Sequence, residues 1–136
     1  MKCGRPAPPA LSGAEVVHMN AKDELGRLGE QLAADFLERS ELRVLDRNWR
    51  CPDGEIDIVA LERRTLVICE VKTRSSGRYG TPLEAISARK RVRLRKLAVG
   101  WVLAHGLFYE EIRIDVVGVL KAAPGEFSIE HVRGVG

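Results

Sequence analysis

The chain has 136 residues, 45% of them hydrophobic and 30% charged, with a formal net charge of +3: enough for one globular, soluble domain with a modest core, and not the composition of a fibrous protein. No apolar run approaches the roughly 18 residues of a membrane span, and the N-terminus lacks the apolar core of a signal peptide. Three cysteines without C-x-x-C spacing imply neither a disulfide framework nor a zinc site and fit a reducing cytoplasm, and His18, His105 and His131 are too scattered to form a ligand set.

Residues 1–20 hold three of the six prolines together with Gly, Ala and Ser and show no sustained periodicity. They predict a disordered arm, with Met19 as an alternative start and 21–136 as a single domain. Between Asp23 and Glu38, Leu25, Leu28, Leu32 and Phe36 recur at helical spacing, with Ala33 and Leu37 widening the stripe, which predicts a first helix. Glu30 lies off the stripe, flanked one turn away by Gly26 and by Ala33 and Ala34. An interior glycine costs about 1 kcal/mol against alanine. Gly26 and Gly29 therefore imply either tight packing of the helix on a sheet or a surface that must come close to Glu30.

Leu42–Trp49 reads as a strand, with Leu45 and Trp49 on one face and Leu42 and Val44 on the other. Asp53-Gly54 is turn chemistry. Two runs rich in β-branched residues follow, Ile56–Ala60 and Thr65–Val71, separated by the polar Glu62, Arg63 and Arg64, and they predict a hairpin. Pairing Leu61 with Leu66 across a four-residue loop sets Asp57 opposite Glu70 and Glu55 opposite Lys72. Alternation then puts those four on one face and Ile56, Ile58, Cys69 and Val71 on the other. Facing residues of an antiparallel pair have Cβ atoms roughly 5 Å apart, and like charges so placed repel. Asp57 and Glu70 need a cation between them. A hard divalent ion such as Mg²⁺, which prefers oxygen ligands, would serve, and Lys72 reaches the same spot. In an arbitrary sequence the same string is more often a solvated face on which lysine and carboxylates neutralise one another.

After Lys72, the loop 73–80 carries Arg74 and Arg78 among serines and glycines and suits phosphate gripping as well as plain solvation. Thr81-Pro82-Leu83-Glu84 is a capping box with proline at the first helical position, and Gly106 is a stop, so a long helix is predicted between them. Ile86, Leu94, Leu97, Ala98, Trp101 and Val102 form its buried side. From Arg89 to Lys96, six of eight residues are basic. A solvated face usually mixes signs, so Arg89, Lys90, Arg93 and Lys96, with Arg74 and Arg78, are expected to contact nucleic acid. Ile112–Leu120 reads as a strand buried on both sides at one end; its Asp115 either holds a neighbouring arginine, the favoured reading, or approaches the charged cluster. Phe127–Val132 reads as a final edge strand. The order αβββαββ argues for an α/β or α+β sheet flanked by helices.

The blocks GRLGEQLAADFL, NWRCPDGEIDIVA, LVICEVKTRSS, the basic helix and RIDVV, in that order over about residues 24–118, resemble the PD-(D/E)xK nuclease superfamily and most closely its YraN-type family of bacterial endonuclease-like proteins. The resemblance implies a restriction-endonuclease-like fold with a central mixed sheet. It implies a Mg²⁺- or Mn²⁺-dependent phosphodiester hydrolase acting on DNA, including branched or damaged DNA, and a homodimer if two strands are cut. It assigns Asp57, Glu70 and the Val71 carbonyl as metal ligands, Lys72 as the catalytic lysine, and Glu30 as a helix carboxylate that approaches the metal through water. The literal Pro-Asp of this chain is Pro52-Asp53, which lies before the strand, so Asp57 after Ile56 takes the motif position. The family often has Lys-Gln where this chain has Lys90-Arg91. A nucleic-acid-binding module that keeps the fold without cutting is the alternative, and a structural or partner-binding protein is a third reading.

Overall fold

A computed structural model describes residues 21–75, 86–106 and 109–135. The arm at 1–20, Arg78 and the Thr81–Glu84 capping box lie outside the described residues. The elements are α1 (Ala21–Arg39), β1 (Arg43–Cys51), β2 (Gly54–Glu62), β3 (Thr65–Arg74), α2 (Ala88–His105), β4 (Glu111–Ala123) and β5 (Glu126–Val132). The expected order αβββαββ is therefore present as an α+β fold. One mixed five-stranded sheet runs β1-β2-β3-β4-β5. All neighbours are antiparallel except β3 and β4. That parallel pair is joined by the crossover through α2, as strands pointing the same way require.

Each face of the sheet is covered, which is why the strand sequences run apolar rather than alternating cleanly. On one face Leu94, Leu97, Ala98 and Trp101 of α2 pack with Trp49, Val59, Leu66, Ile68, Ile114 and Val116. On the other, Ala33, Ala34 and Leu37 of α1 pack with Leu42, Ile58, Ala60, Val67, Cys69, Val71, Val117 and Val119. Leu45 and Val44 fall on opposite faces as expected. β5 is an edge strand, and the stretch of β4 buried without a break is its middle, Ile114–Val117, rather than one end.

Three expectations are corrected. The buried stripe of α1 is Gly29, Ala33, Ala34 and Leu37, whereas Leu28 is 44% exposed. Small residues bring this helix closer to the sheet than leucines would allow: a Cβ on Gly29 would collide with the Thr73 side chain. Secondly, α2 begins at Ala88, because Ser87 is extended and its hydroxyl caps the helix by accepting from the Lys90 N–H at 3.1 Å. Ile86 is buried in the same core but precedes the helix. Gly106, with φ 65°, ends it as expected. Thirdly, the β2–β3 turn is only Arg63-Arg64, with Glu62 already paired to Thr65 and Arg63 at φ 56°.

Gly26 and Gly29 separate helix propensity from packing. Nothing lies within 4 Å of a Cβ on Gly26, so Gly26→Ala should stabilise by up to about 1 kcal/mol. Gly29→Ala should destabilise by about 1–3 kcal/mol through overpacking, and Thr73→Ala in the same chain should recover much of it. Urea denaturation of the four proteins reads both signs.

Candidate active site

The β2–β3 hairpin keeps the expected register from Leu61↔Leu66 to Ile58↔Cys69, and there the ladder ends. Beyond that point β2 continues against β1 through Trp49↔Ile56, Arg50↔Glu55 and Cys51↔Gly54, while β3 continues against β4. The two strands part at Asp57 and Glu70. The cause is local to β1 and β2. Asn48 has φ 53°, a left-handed conformation that asparagine tolerates, and it sits across from Asp57 between the pairs Arg47↔Ile58 and Trp49↔Ile56. Alternation breaks at this point. Ile56 joins the α2-side core with Trp49, while Ile58 joins the α1-side core with Cys69 and Val71. The expectation that Ile56 shares their face is thereby corrected.

Where a backbone carbonyl of β2 would have met β3, the Asp57 carboxylate stands instead: Oδ2 accepts from the Val71 N–H at 2.9 Å. In a strand, the N–H and C=O of one residue point to the same side. The Val71 carbonyl therefore also faces the opening. Burial, then the charge of Glu70, push the Asp57 pKa up to about 7, with Glu30 and Glu55 adding to the rise and the Val71 amide opposing it.

Glu70 is 7% exposed and lies on the α2 side, on the same face as Leu66 and Ile68. Its Oε1 accepts from Lys90 Nζ at 2.6 Å, and Lys72 Nζ lies 3.4 Å from the same atom. The repulsion expected between Asp57 and Glu70 is thus met in part by two ammonium groups. Burial lowers the pKa of Lys72 and the Lys90 charge adds to this, against the pull of Glu70. Burial also works against the charge of Lys90, but its hydrogen bond to Glu70, the Glu70 charge, its hydrogen bond with Lys72 and the Asp57 charge together outweigh that and hold its pKa above the ordinary lysine value. Lys90, placed by its sequence among the phosphate contacts, turns to this carboxylate. The one signal for that was Ser87 three residues before it, whose cap sets Lys90 in the first turn of α2.

Glu30, half-buried on α1, has its pKa raised by burial and by Glu55, against Arg47 and an Asn48 hydrogen bond. Its Oε1 is buried without a hydrogen-bond partner. It lines an open cleft of about 880 Å³ between α1 and β1 with Lys22, Arg27, Arg47, Asn48, Arg50 and Glu55. Arg89, Arg93 and Lys96 are exposed on α2 and, with Val92 and Asp53, line a second cleft of about 470 Å³ beside the β1–β2 turn. Arg74 is half-buried at the end of β3.

Asp115 belongs to a separate network. It is fully buried and accepts from Arg113 Nε at 2.9 Å and the Gly134 N–H at 3.0 Å, with His131 Nε2 at 2.7 Å. Burial opposes its charge, but these partners win and lower its pKa. This is the structural role expected of it.

Among the described residues no group of three or more His, Cys, Asp or Glu side chains is gathered to hold a metal. Two carboxylates and a carbonyl, completed by water and phosphate, nevertheless match the preference of Mg²⁺ for a few protein oxygens. The partnerless Glu30 oxygen is an acceptor that a metal-bound water would satisfy. The residues present fit such an ion.

Asp57 supplies a pH test. An aspartate whose folded-state pKa lies at about 7 against an ordinary 3.8 contributes stability that is fully present below 3.8 and lost as pH rises through about 7. In chelator, the wild-type melting temperature should fall from pH 4 to pH 8 by roughly 5 °C or more beyond any fall in Asp57→Asn, which cannot titrate but can still accept from Val71. Parallel profiles for the two proteins would place Asp57 in a solvated setting.

Comparison with known proteins matches the profile of the uncharacterised protein family UPF0102 to residues 29–119, the span that carries Glu30, Asp57, Glu70, Lys72 and Lys90. The chain is 56% identical over 120 residues to a UPF0102 protein of Paenarthrobacter aurescens, covering 88% of this chain and 99% of that one. It is 58% identical over 118 residues to one of Renibacterium salmoninarum, covering 87% and 100% respectively. A UPF0102 protein of Beutenbergia cavernae is 52% identical over 118 residues, with the same coverage of 87% and 100%. The chain belongs to the uncharacterised protein family UPF0102, the YraN family.

Proposed function

We propose that this protein is a Mg²⁺- or Mn²⁺-dependent phosphodiester hydrolase acting on DNA in the cytoplasm. The observation that carries the reading is the parting of β2 and β3. It leaves Asp57, Glu70 and the Val71 carbonyl around one opening, with the Lys72 ammonium 3.4 Å from Glu70. A divalent ion held there would polarise the scissile phosphate and lower the pKa of the attacking water. Lys72, on the same face as Glu70 two residues along β3, orients that water or balances charge developing on the phosphate oxygens. Its lowered pKa brings it closer to the range in which a lysine can exchange a proton. Glu30 faces the cleft beside Asp57 and acts through water, because its free oxygen has no protein partner.

The exposed Arg89, Arg93 and Lys96 supply sequence-independent phosphate contacts on α2. Arg74 extends them at the end of β3, and Arg78 is proposed for the same role from its place in the sequence. The cleft of about 880 Å³ beside Glu30 has room for a strand that leaves the duplex path, which favours branched or damaged DNA over plain duplex. Cutting two strands of a branch would take a homodimer.

Labelled duplex, single-stranded, flap and four-way DNA incubated with the protein, with and without Mn²⁺, test the reading. Metal-dependent cleavage is expected, strongest on the branched substrates, and Lys72→Ala should abolish it while leaving DNA affinity within a few-fold. Replacing Arg89, Arg93 and Lys96 together by alanine should flatten the salt dependence of duplex binding by about 0.9 for each DNA phosphate that is no longer neutralised. Binding that ignores Mn²⁺ and never leads to cleavage would leave a non-catalytic nucleic-acid-binding module.

A further inference from the structure

Glu70 presents one carboxylate oxygen to two cations. Lys90 Nζ donates to Oε1 at 2.6 Å, while Lys72 Nζ is 3.4 Å from it. A Mg²⁺ ion on this carboxylate, at roughly 2.1 Å from its ligand oxygen, would share one acidic group with the Lys90 ammonium. Bringing a divalent ion to Glu70 would set it beside the positive charges of Lys90 and Lys72. An incoming ion competes with the two ammonium groups for that carboxylate.

The two lysines are anchored differently. Lys72 rises from β3 on the same face as Glu70, in a strand paired through its length to β4, so it stays beside any ion bound there. Lys90 arrives from another element. Its backbone is fixed in the first turn of α2, its N–H on the Ser87 hydroxyl at 3.1 Å and the next N–H on the Ser87 carbonyl at 3.0 Å. Its long side chain, 24% exposed, reaches from there to Glu70. Along the same helix, toward solvent, stand the exposed Arg89, Arg93 and Lys96.

We propose that Lys90 is the resident counter-ion of Glu70 in the metal-free protein, displaced when a divalent cation enters, and that its released ammonium then positions a substrate phosphate between the metal site and the basic face of α2. Lys90 is a positioning residue that couples the two binding events. The free protein holds its metal weakly because Lys90 competes for the same carboxylate. Nucleic acid tightens metal binding by giving that ammonium another anion. By linkage, metal tightens nucleic-acid binding by the same factor. The inference rests on the metal reading of Asp57 and Glu70, and its test separates the two.

The test is Mn²⁺ binding to the full chain without nucleic acid, read from the electron paramagnetic resonance signal of the free ion. Lys90→Met keeps the apolar stem and removes the charge, Lys90→Gln serves if the methionine variant does not fold, and Lys90→Arg retains a competing cation. Removing a charged hydrogen bond to the ligand oxygen should tighten Mn²⁺ binding roughly tenfold in the neutral variants and leave Lys90→Arg near wild type. The same neutral variants, loaded with Mn²⁺, should bind labelled duplex more weakly than loaded wild type. If wild type and the neutral variants bind Mn²⁺ equally, or the variants more weakly, Lys90 is not a competitor and the inference falls while the metal reading stands. If none binds Mn²⁺, the metal reading falls and takes the inference with it.

Discussion

The division of the sheet at Asp57 depends on a single hydrogen bond, from the Val71 N–H to the Asp57 carboxylate. That bond replaces a backbone partner with a side chain at the point where β2 stops pairing with β3. Because Val71 finds an acceptor there, β3 need not leave an amide unsatisfied when the strands part, a cost that would otherwise be about 1–3 kcal/mol. β2 is free to follow β1, β3 to follow β4, and the opening between them gathers side chains from β2 and β3 and, through Lys90, from α2. The close seating of α1 on the other face, through Gly29 against Thr73, brings Glu30 to the same end of the sheet.

Among the described residues, the charged groups around Asp115 and those around Asp57 obey opposite rules. Around Asp115 every acceptor has a partner: Arg113, His131 and the Gly134 amide serve the aspartate, and Arg113 and Arg133 both reach Glu62. Such a network ties β4, β5 and the C-terminal segment to the β2–β3 turn, and its aspartate keeps its charge easily. Around Asp57 the balance is incomplete. Asp57, Glu70, Glu30 and Glu55 crowd one region, burial and mutual repulsion push Asp57 up to about 7, and a Glu30 oxygen has no partner. Buried charge left partly uncompensated is expensive, and it belongs where an ion or substrate is to complete the arrangement.

Much of this was legible in the sequence because it depends on local rules. The β-branched runs on either side of Arg63-Arg64 set the hairpin register from Leu61↔Leu66 to Ile58↔Cys69, and Gly106 marked the end of α2. What was not legible depends on contacts made elsewhere. The switch of Ile56 and Ile58 to opposite faces follows from the left-handed Asn48 on the neighbouring strand, which no alternation rule applied to β2 alone contains. On α1 the expected Ala33 and Leu37 are buried and Leu32 packs beside them, but Leu28 is left out and Gly29 and Ala34 are buried instead, because small residues allow the close approach to the sheet. Lys90 was grouped with its basic neighbours by composition. Only the Ser87 cap and the packing of α2 on the sheet aim it at Glu70 rather than at solvent.

The central claim is that the parting of β2 and β3 is a divalent-cation site. Crystals of the protein soaked in Mn²⁺ and measured at the manganese absorption edge test it most directly. The account predicts an anomalous difference peak bounded by the Asp57 and Glu70 carboxylates and the Val71 carbonyl, with Lys90 drawn away from Glu70. A peak only elsewhere, such as beside Glu62 and Glu111, or no peak with Lys90 still on Glu70, would contradict it.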